Sequence, residues 1–472
     1  MNAFACSMYA RLARTPGNLF FSPYSVACAL AMAAEGARGG TAREMAAVLG
    51  VAVAGDDGVD WSGLHAFLAQ QAERLAPKPP APALLERLAQ LRAGLETLNA
   101  RLRQDEERGD AYHEGAEASQ RLAADIDALQ AQVDPTEFRS ANALWLEHTT
   151  SLEAPYLEAI SRWYGTDGAR PADFAHDPEG SRTAINDWVA GQTRQRIHDL
   201  LGRGAITAAT RLVLANAVTF LGEWLEPFDP EDTREEAFFP AEGGRVPTPL
   251  MHGVQADGAR YAAFRKDGTP FPTPAQVELR NVDKGTLYPD DGFQLLELPY
   301  RGGALVMQVL LPMRADGLSR VQRLLGAAAQ ERWDAALDTR EVDVRLPKFR
   351  LESQFELNEA LEALGMPRAF ANPARSQQGA QFEGISDPAD PDERLYIGLV
   401  AHKAFVAVDE KGTEAAAATA IAMAAACGIP ALVDFTPVFR ADRPFVFLIR
   451  DRGTGAVLFM GRYARPPGAD AL

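Results

Sequence analysis

Few residues in this chain could perform covalent chemistry, and their spacing matches no catalytic motif. The sequence lacks the G-x-S-x-G turn of serine hydrolases, the Walker loop of nucleotide hydrolases and the glycine fingerprint of dinucleotide-binding folds. Glu114 follows His113, but the second histidine of an H-E-x-x-H zinc site is missing, and the seven histidines show no metal-ligand spacing. We therefore predict that the protein is not an enzyme and that it uses no metal and no cofactor.

A run of small side chains is the chemically unusual feature. After Gly412 the chain is rich in alanine up to Ala426. Alanine favours a helix, so a surface helix or a flexible linker is one interpretation. The other is a strand, because the flanking runs 403–408 and 445–449 are rich in β-branched and aromatic residues. As a strand, the run would present one face of side chains small enough to enter a packed core: Thr413, Ala415, Ala417 and Thr419.

Helices near the N-terminus are among the elements that must position this run. Ser22 and Pro23 are suited to cap and to start a helix that continues to residue 33. Thr41 and Glu44 have the spacing of a capping box, which predicts the start of a further helix. Residues 211–220 are mostly apolar, which is typical of a strand buried on both faces.

Two stretches differ in character from the rest. Apolar residues recur at spacings of three and four within residues 84–102 and 122–133, which predicts an antiparallel helical hairpin over about 77–135. The hairpin is either a partner-binding arm or a passive elaboration of the body. Prolines and glycines interrupt residues 262–291, where we predict a surface loop.

Composition limits the partners. The chain has 472 residues, 47% hydrophobic and 24% charged, as expected for a soluble globular protein with a large core. A net charge of −17 argues against a nucleic acid or an anionic membrane as a partner. The first residues show no secretory signal, so we expect a cytoplasmic protein, or an extracellular or periplasmic one if the chain is trimmed. Its three cysteines, Cys6, Cys28 and Cys427, are then expected to be thiols.

Three stretches resemble one family, the serpins. Residues 410–419 resemble the proximal hinge of the reactive centre loop in inhibitory serpins, residues 18–49 resemble the N-terminal signature of the family, and Phe-Met-Gly-Arg at 459–462 resembles its ending. The resemblance covers nearly all of the chain outside 77–135 and 262–291, which it marks as insertions.

This resemblance implies a single domain over residues 1–472 with the serpin fold, of the α+β class. That fold has a large, central, mostly antiparallel β-sheet with additional sheets, about eight to nine helices and an exposed reactive centre loop. The loop would occupy residues 410–439, and the protein would be a monomer.

The resemblance also implies roles for individual residues. The hinge of the loop would consist of Glu410, Gly412, Thr413, Glu414, Ala415, Ala416, Ala417, Ala418 and Thr419. Counting fourteen positions from Gly412 in the family's usual register places the attacked bond between Ala426 and Cys427, to within one to three residues. Trp224 matches the tryptophan at the breach, where loop insertion starts. Four polar residues match the shutter, the cluster beneath the strands that part: Ser22, Ser25, Asn216 and His402. For each of these alone, a helix cap or an ordinary core side chain is the alternative.

By resemblance, the protein is a suicide substrate that inhibits serine proteases by inserting its cleaved loop into the central sheet. The small residues before the attacked bond suit elastase-like proteases, and papain-like cysteine proteases are a second target class. The main alternative is a non-inhibitory serpin that acts as a chaperone or binding protein, and a third is a scaffold that works through the hairpin. The small hinge residues favour an inhibitor, because non-inhibitory members tend to carry bulky or charged residues there.

Overall fold

The computed structural model describes residues 1–53, 58–76, 82–104, 110–130, 136–165, 168–278, 287–412 and 432–467. The α-helices are α1 Asn2–Leu12, α2 Pro23–Glu35, α3 Gly39–Leu49, α4 Ser62–Leu75, α5 Pro82–Gln104, α6 Asp110–Gln130, α7 Ala154–Tyr164, α8 Pro178–Gln192, α9 Leu318–Leu324, α10 Ala327–Ala335 and α11 Asn358–Leu364. The strands are β1 Leu19–Phe21, β2 Glu137–Glu147, β3 Ala169–Ala172, β4 Leu212–Leu221, β5 Arg234–Phe238, β6 Val246–Gln255, β7 Arg260–Arg265, β8 Pro270–Phe271, β9 Gln276–Glu278, β10 Gly292–Pro299, β11 Leu305–Pro312, β12 Asp338–Thr339, β13 Val342–Pro347, β14 Phe349–Glu356, β15 Leu399–Val408, β16 Leu432–Asp434, β17 Val438–Arg440, β18 Phe445–Asp451 and β19 Val457–Tyr463.

Two large sheets and two small ones make an α+β fold, as expected. The largest sheet has the order β1-β19-β18-β11-β10-β7-β12, with β8 paired to β7, and every pair in it is antiparallel. A second sheet has the order β14-β15-β4-β2-β3 and is mixed, because β15 runs parallel to β4 and β3 parallel to β2. The small sheets are β17-β13-β6-β5 and β16-β9.

Helix α2 lies between the two large sheets. It packs on β19 of one sheet and on β2 and β4 of the other, and its residues from Pro23 to Ala34 are all buried. Small side chains such as Ala27 and Ala31 let both sheets approach it closely. The Ser22 side chain caps the helix by accepting a hydrogen bond from the Ser25 N–H at 3.1 Å, which confirms the predicted cap.

Strand β4 is buried on both faces, as its apolar sequence predicts. One face joins the core around α2, and the other joins a second core that includes residues of α8. The side chains on the α2 face include Leu212, Leu214 and Val218, and those on the α8 face include Val213, Ala215 and Ala217. The five-stranded sheet is therefore covered on both sides at its centre.

Helices α5 and α6 occupy the stretch predicted as a helical hairpin. They contact each other in antiparallel fashion, with Ser119 Oγ 2.7 Å from Asn99 Oδ1 and Leu102 beside Gly115. With them the described residues contain eleven α-helices, against the eight or nine expected. That the stretch is an insertion remains a prediction. None of the helices in the described ranges has the length and hydropathy that a membrane crossing needs.

The predicted capping box at Thr41 and Glu44 is wrong. Helix α3 begins at Gly39, so both residues lie inside it. Thr41 Oγ1 accepts a hydrogen bond from the Gln381 N–H at 3.0 Å, and Glu44 forms an ion pair with Arg368 at 3.0 Å. The two side chains that the local pattern assigned to a helix cap thus bond instead to residues far away in sequence.

Part of the predicted surface loop at 262–291 is instead a buried strand. Strand β7 pairs with β10 over six residues, and Ala263 and Phe264 are buried in that pairing. The prolines of the segment begin at Pro270, beyond the end of β7, so they follow the strand rather than prevent it.

The close packing of Gly461 generates a stability prediction. A Cβ on Gly461 would lie 2.2 Å from the ring of Phe447, which is itself stacked on Phe20. We expect Gly461→Ala to lower the free energy of unfolding by about 1–3 kcal/mol, because the buried ring has no space to move into. The control is Gly63→Ala in α4, where nothing lies within 4 Å of a Cβ and the change should be neutral or slightly stabilising. Equal urea unfolding midpoints for the two variants would contradict this packing argument.

Candidate functional site

A turn at residues 409–412 fixes the chain where the alanine-rich run begins. Asp409 and Gly412 exchange backbone hydrogen bonds of 2.8 and 3.1 Å directly after the end of β15. Gly412 also forms a bridge with Glu223, and the Trp224 N–H donates to the Lys411 carbonyl at 2.9 Å. The turn is therefore bound to the segment that follows β4.

Of the predicted hinge, the structure describes Glu410 and Gly412. The other predicted hinge and reactive-bond residues lie outside the described residues, and their roles stay predictions: Thr413, Glu414, Ala415, Ala416, Ala417, Ala418, Thr419, Ala426 and Cys427.

Gly412 has two reasons to be glycine. Its φ of 133° lies in a region that residues with side chains rarely adopt. A Cβ there would also lie 2.3 Å from the Gly222 carbonyl oxygen and 2.5 Å from the Trp224 nitrogen. Any larger residue would push the start of the run away from the end of β4.

Glu410 is held by partners from other parts of the fold. The residue is 7% exposed, and its two carboxylate oxygens accept hydrogen bonds from Thr233 Oγ1 at 2.9 Å and from Lys348 Nζ at 2.7 Å. Burial alone would raise the pKa of this carboxyl, but the bonds from Lys348 and Thr233 outweigh it and hold the pKa below its usual value. The Glu410 carbonyl also accepts from the Phe228 N–H at 2.7 Å.

Trp224, the predicted breach residue, lies beneath this turn. It is 1% exposed, its ring stacks on Tyr300 with a centroid distance of 4.7 Å, and its Nε1–H donates to the Asp409 carbonyl at 3.0 Å. A buried indole needs such an acceptor. The structure thus places Trp224 in direct contact with the segment that leads into the alanine-rich run.

Strands β15 and β4 pair directly with each other. Seven residue pairs run in parallel from Leu399 opposite Val213 to Phe405 opposite Thr219. The alanine-rich run starts at the carboxyl end of β15, beside the carboxyl end of β4. Over this length the two strands are neighbours, and no strand separates them.

The four predicted shutter residues come together in the middle of this pairing. His402 lies opposite Asn216 in the ladder, and their side chains are hydrogen-bonded through His402 Nδ1 and Asn216 Oδ1. The Ser22 N–H donates to His402 Nε2 at 3.1 Å, and Asn216 Nδ2 donates to Ser25 Oγ at 2.5 Å. Each strand is therefore tied to the amino end of α2 by its own polar contact.

Two further residues complete the cluster and were not predicted. Ser140 Oγ lies 2.7 Å from Ser25 Oγ, and Asn142 accepts from Ser25 Oγ at 3.0 Å and bonds to Asn216. Asn142 stands opposite Asn216 in the β2–β4 ladder. Asn142 was the available signal, because it is the one polar residue in the stretch 141–146 of β2. We call Ser22, Ser25, Ser140, Asn142, Asn216 and His402 the polar cluster.

Metal-ligating side chains meet elsewhere, at the carboxyl end of β2, where Glu147, His148 and Asp173 approach one another.

His402 is neutral in this arrangement. Its Nε2 accepts a hydrogen bond from the Ser22 N–H, so that nitrogen carries no proton, and Nδ1–H donates to Asn216. Complete burial lowers the pKa of His402 from 6.5 to about 3. A proton on Nε2 would place two hydrogen-bond donors opposite each other and so break the bond from the Ser22 N–H.

The segment that follows the alanine-rich run is also held. Strand β16 pairs with β9, and the Phe435 N–H donates to the Ala275 carbonyl at 2.8 Å. The Val438 N–H donates to the Tyr288 hydroxyl at 2.8 Å, and β17 then joins β13. Residues of the stretch 262–291 therefore bind the returning end of the run.

Comparison with known proteins gives a consistent result. A family model described as "Serpin (serine protease inhibitor)" matches residues 1–466. An uncharacterized serpin-like protein of Thermococcus kodakarensis is 34% identical over 466 residues, which cover 99% of this chain and 85% of the relative. Leukocyte elastase inhibitor A of Mus musculus is 30% identical, with 95% of this chain and 93% of the relative covered. Among solved structures, uncleaved ovalbumin matches with a TM-score of 0.70 at 22% identity over 98% of both chains.

The neutral His402 generates a pH prediction. In the unfolded chain the His402 imidazole is protonated below about pH 6.5. In the folded protein it stays neutral until the pH falls to about 3. The resulting stability is fully present above pH 6.5 and is lost as the pH falls towards 3, with a slope of at most about 1.4 kcal/mol per pH unit. Urea unfolding at stepped pH should show a shallower loss for His402→Gln than for the wild type. A control, His198→Gln at an exposed histidine, should keep the wild-type slope. Equal slopes for His402→Gln and the wild type would refute this origin of the acid sensitivity.

Proposed function

Because this chain belongs to the serpin family, we propose that it inhibits serine proteases as a suicide substrate whose cleaved loop inserts into the central sheet. The observation that carries the proposal is the direct pairing of β15 with β4, beside whose carboxyl ends the small-residue run begins. A strand that turns Thr413, Ala415, Ala417 and Thr419 towards the core could enter there, because these side chains are small.

The first chemical step is an acyl transfer. The protease serine oxygen attacks the carbonyl carbon at Ala426, the peptide bond to Cys427 breaks, and the amine of Cys427 leaves with a proton. An ester then joins Ala426 to the protease. The segment 413–426 then carries the protease at its carboxyl end and remains attached to β15 through the hinge, while Cys427 becomes a new amino terminus.

Insertion supplies the driving force. A strand of some fifteen residues placed between β15 and β4 would form roughly ten to fifteen new ladder bonds, each worth about 0.5–1.5 kcal/mol. Apolar burial adds to this sum, and together they can offset distortion of the attached protease. The ester is trapped when the protease active site is deformed before water hydrolyses it.

The polar cluster lowers the cost of parting the strands. When β15 moves from β4, His402 can keep the Ser22 N–H, and Asn216 can keep Ser25 and Asn142. The side-chain bond that crosses between the two strands is the one from His402 to Asn216. Each of the two side chains therefore keeps a partner on its own side of the gap when the strands part.

We propose elastase-like enzymes as the targets, with papain-like cysteine proteases as a second class. The residues before the proposed bond, Met423 to Ala426, are mostly alanine and suit a narrow primary pocket. The similarity to a leukocyte elastase inhibitor supports this choice. A non-inhibitory serpin remains the alternative, and the absence of bulky residues between 413 and 419 argues against it.

The proposal predicts a covalent complex with pancreatic elastase on a denaturing gel. Thr413→Arg should reduce the ratio of complex to cleaved product by about tenfold or more, because an unpaired charge would enter the core. The matched control is Glu414→Arg, which changes the opposite face of the same strand and should retain the complex. Cleavage without any complex in the wild type, or equal complex formation by both variants, would contradict the mechanism.

Insertion also predicts a gain in stability after cleavage. Limited proteolysis between residues 420 and 430 should raise the thermal unfolding midpoint by at least several degrees, since new ladder bonds form. Calorimetry of intact and nicked protein measures the change. An unchanged midpoint would mean that the sheet does not expand, whatever protease was used.

A further inference from the structure

Three side chains with metal-ligating atoms meet at the carboxyl end of β2, away from the loop and the polar cluster. Glu147 Oε1 lies 2.7 Å from His148 Nδ1, and Asp173 Oδ1 lies 3.8 Å from the same nitrogen. All three ligand atoms are within 4.8 Å of one another. Tetrahedral ligands with bonds of about 2.0–2.2 Å lie about 3.3–3.6 Å apart, so the contact between Glu147 and His148 must widen slightly to admit an ion. Small side-chain rotations would therefore bring the three atoms around a single cation.

Glu147 shows that the group is more than a surface cluster. It is only 5% exposed, and its Oε2 accepts hydrogen bonds from the Phe174 N–H at 2.9 Å and the Ala175 N–H at 3.0 Å. Its Oε1 is buried and has no well-aligned hydrogen-bond donor, and His148 Nδ1, 2.7 Å away, forms an ion pair with it only as a protonated imidazole. A buried carboxylate oxygen without a donor is costly, and a cation would satisfy it.

The geometry points to a divalent transition-metal site, which we assign to Zn²⁺, with Glu147, His148 and Asp173 as ligands. Mixed imidazole and carboxylate ligands suit Zn²⁺, whereas Ca²⁺ and Mg²⁺ prefer oxygen atoms alone. His176 Nδ1 lies 3.1 Å from Asp173 Oδ1, so an imidazole or a water can take the fourth position. With a neutral imidazole, two carboxylates balance the charge of the ion.

The surroundings give the ion access and a structural effect. Glu147 lines a cavity of about 290 Å³ together with Thr149 and Arg211, which provides a path from solvent to the carboxylate. Asp173 lies between β3 and α8, and α8 packs on β2 and β4. A bound ion would therefore join the end of β2 to the segment that leads into α8. The assignment does not depend on protease inhibition.

Calorimetric titration of the full-length protein with Zn²⁺ tests the site. The wild type should bind one ion that His148→Ala and Asp173→Asn bind about 100-fold more weakly, because each removes a ligand. Both side chains are more than 40% exposed, so the variants should fold, which circular dichroism checks. Glu147 is left unchanged, because its second oxygen holds the turn at 174–175.

The matched control is His252→Ala. His252 Nε2 lies 3.0 Å from Asp343 Oδ1, so it is also a histidine beside a carboxylate, but it is not part of the group. Its loss should leave the tight Zn²⁺ site intact. Absence of saturable binding in the wild type, identical titration curves for the wild type and His148→Ala, or an equal loss in His252→Ala would each overturn the assignment.

Discussion

The parallel ladder between β4 and β15 is the contact on which the rest of this molecule depends. It closes the five-stranded sheet over α2 on one face and α8 on the other. Its hydrogen bonds satisfy the backbone of two strands that are buried on both sides, so the ladder is stable as it stands. At its centre, however, His402 and Asn216 occupy positions where apolar residues would pack more tightly. The sheet carries a polar defect where β15 meets β4, and α2 supplies a separate partner to each of the two strands.

The two ends of the alanine-rich run are fixed in different ways. The leading end is fixed by Glu410 and Gly412 through an ion pair, a backbone angle that suits glycine and contacts with Trp224. The returning end is fixed by β16 and β17, which pair with β9 and β13. Both anchors lie on the folded body, so the intervening residues begin and end at defined points. The leading anchor adjoins the β4–β15 ladder, whereas the returning anchor belongs to other sheets.

Much of this arrangement could be predicted from local sequence. The cap at Ser22, the doubly buried strand β4 and the position of Trp224 beside the turn follow from residue types and from the family resemblance. Thr41 was misjudged because Gln381, far away in sequence, takes its hydroxyl. Ser140 and Asn142 were missed because their partners come from α2 and β4, and only strand register shows that they meet. The pairing of β9 with β16 joins segments more than 150 residues apart and has no local signature.

The position of the last two strands has a consequence for a molecule that has been cut. Strands β18 and β19 lie between β11 and β1 inside the eight-stranded sheet, and Arg462 donates hydrogen bonds to carbonyls of Gly17, Ala13 and Thr15. If the chain were cut within the run, the two fragments would therefore stay together as one particle, held by non-covalent contacts. Its hydrodynamic size would barely change, and only a denaturant would release the smaller piece.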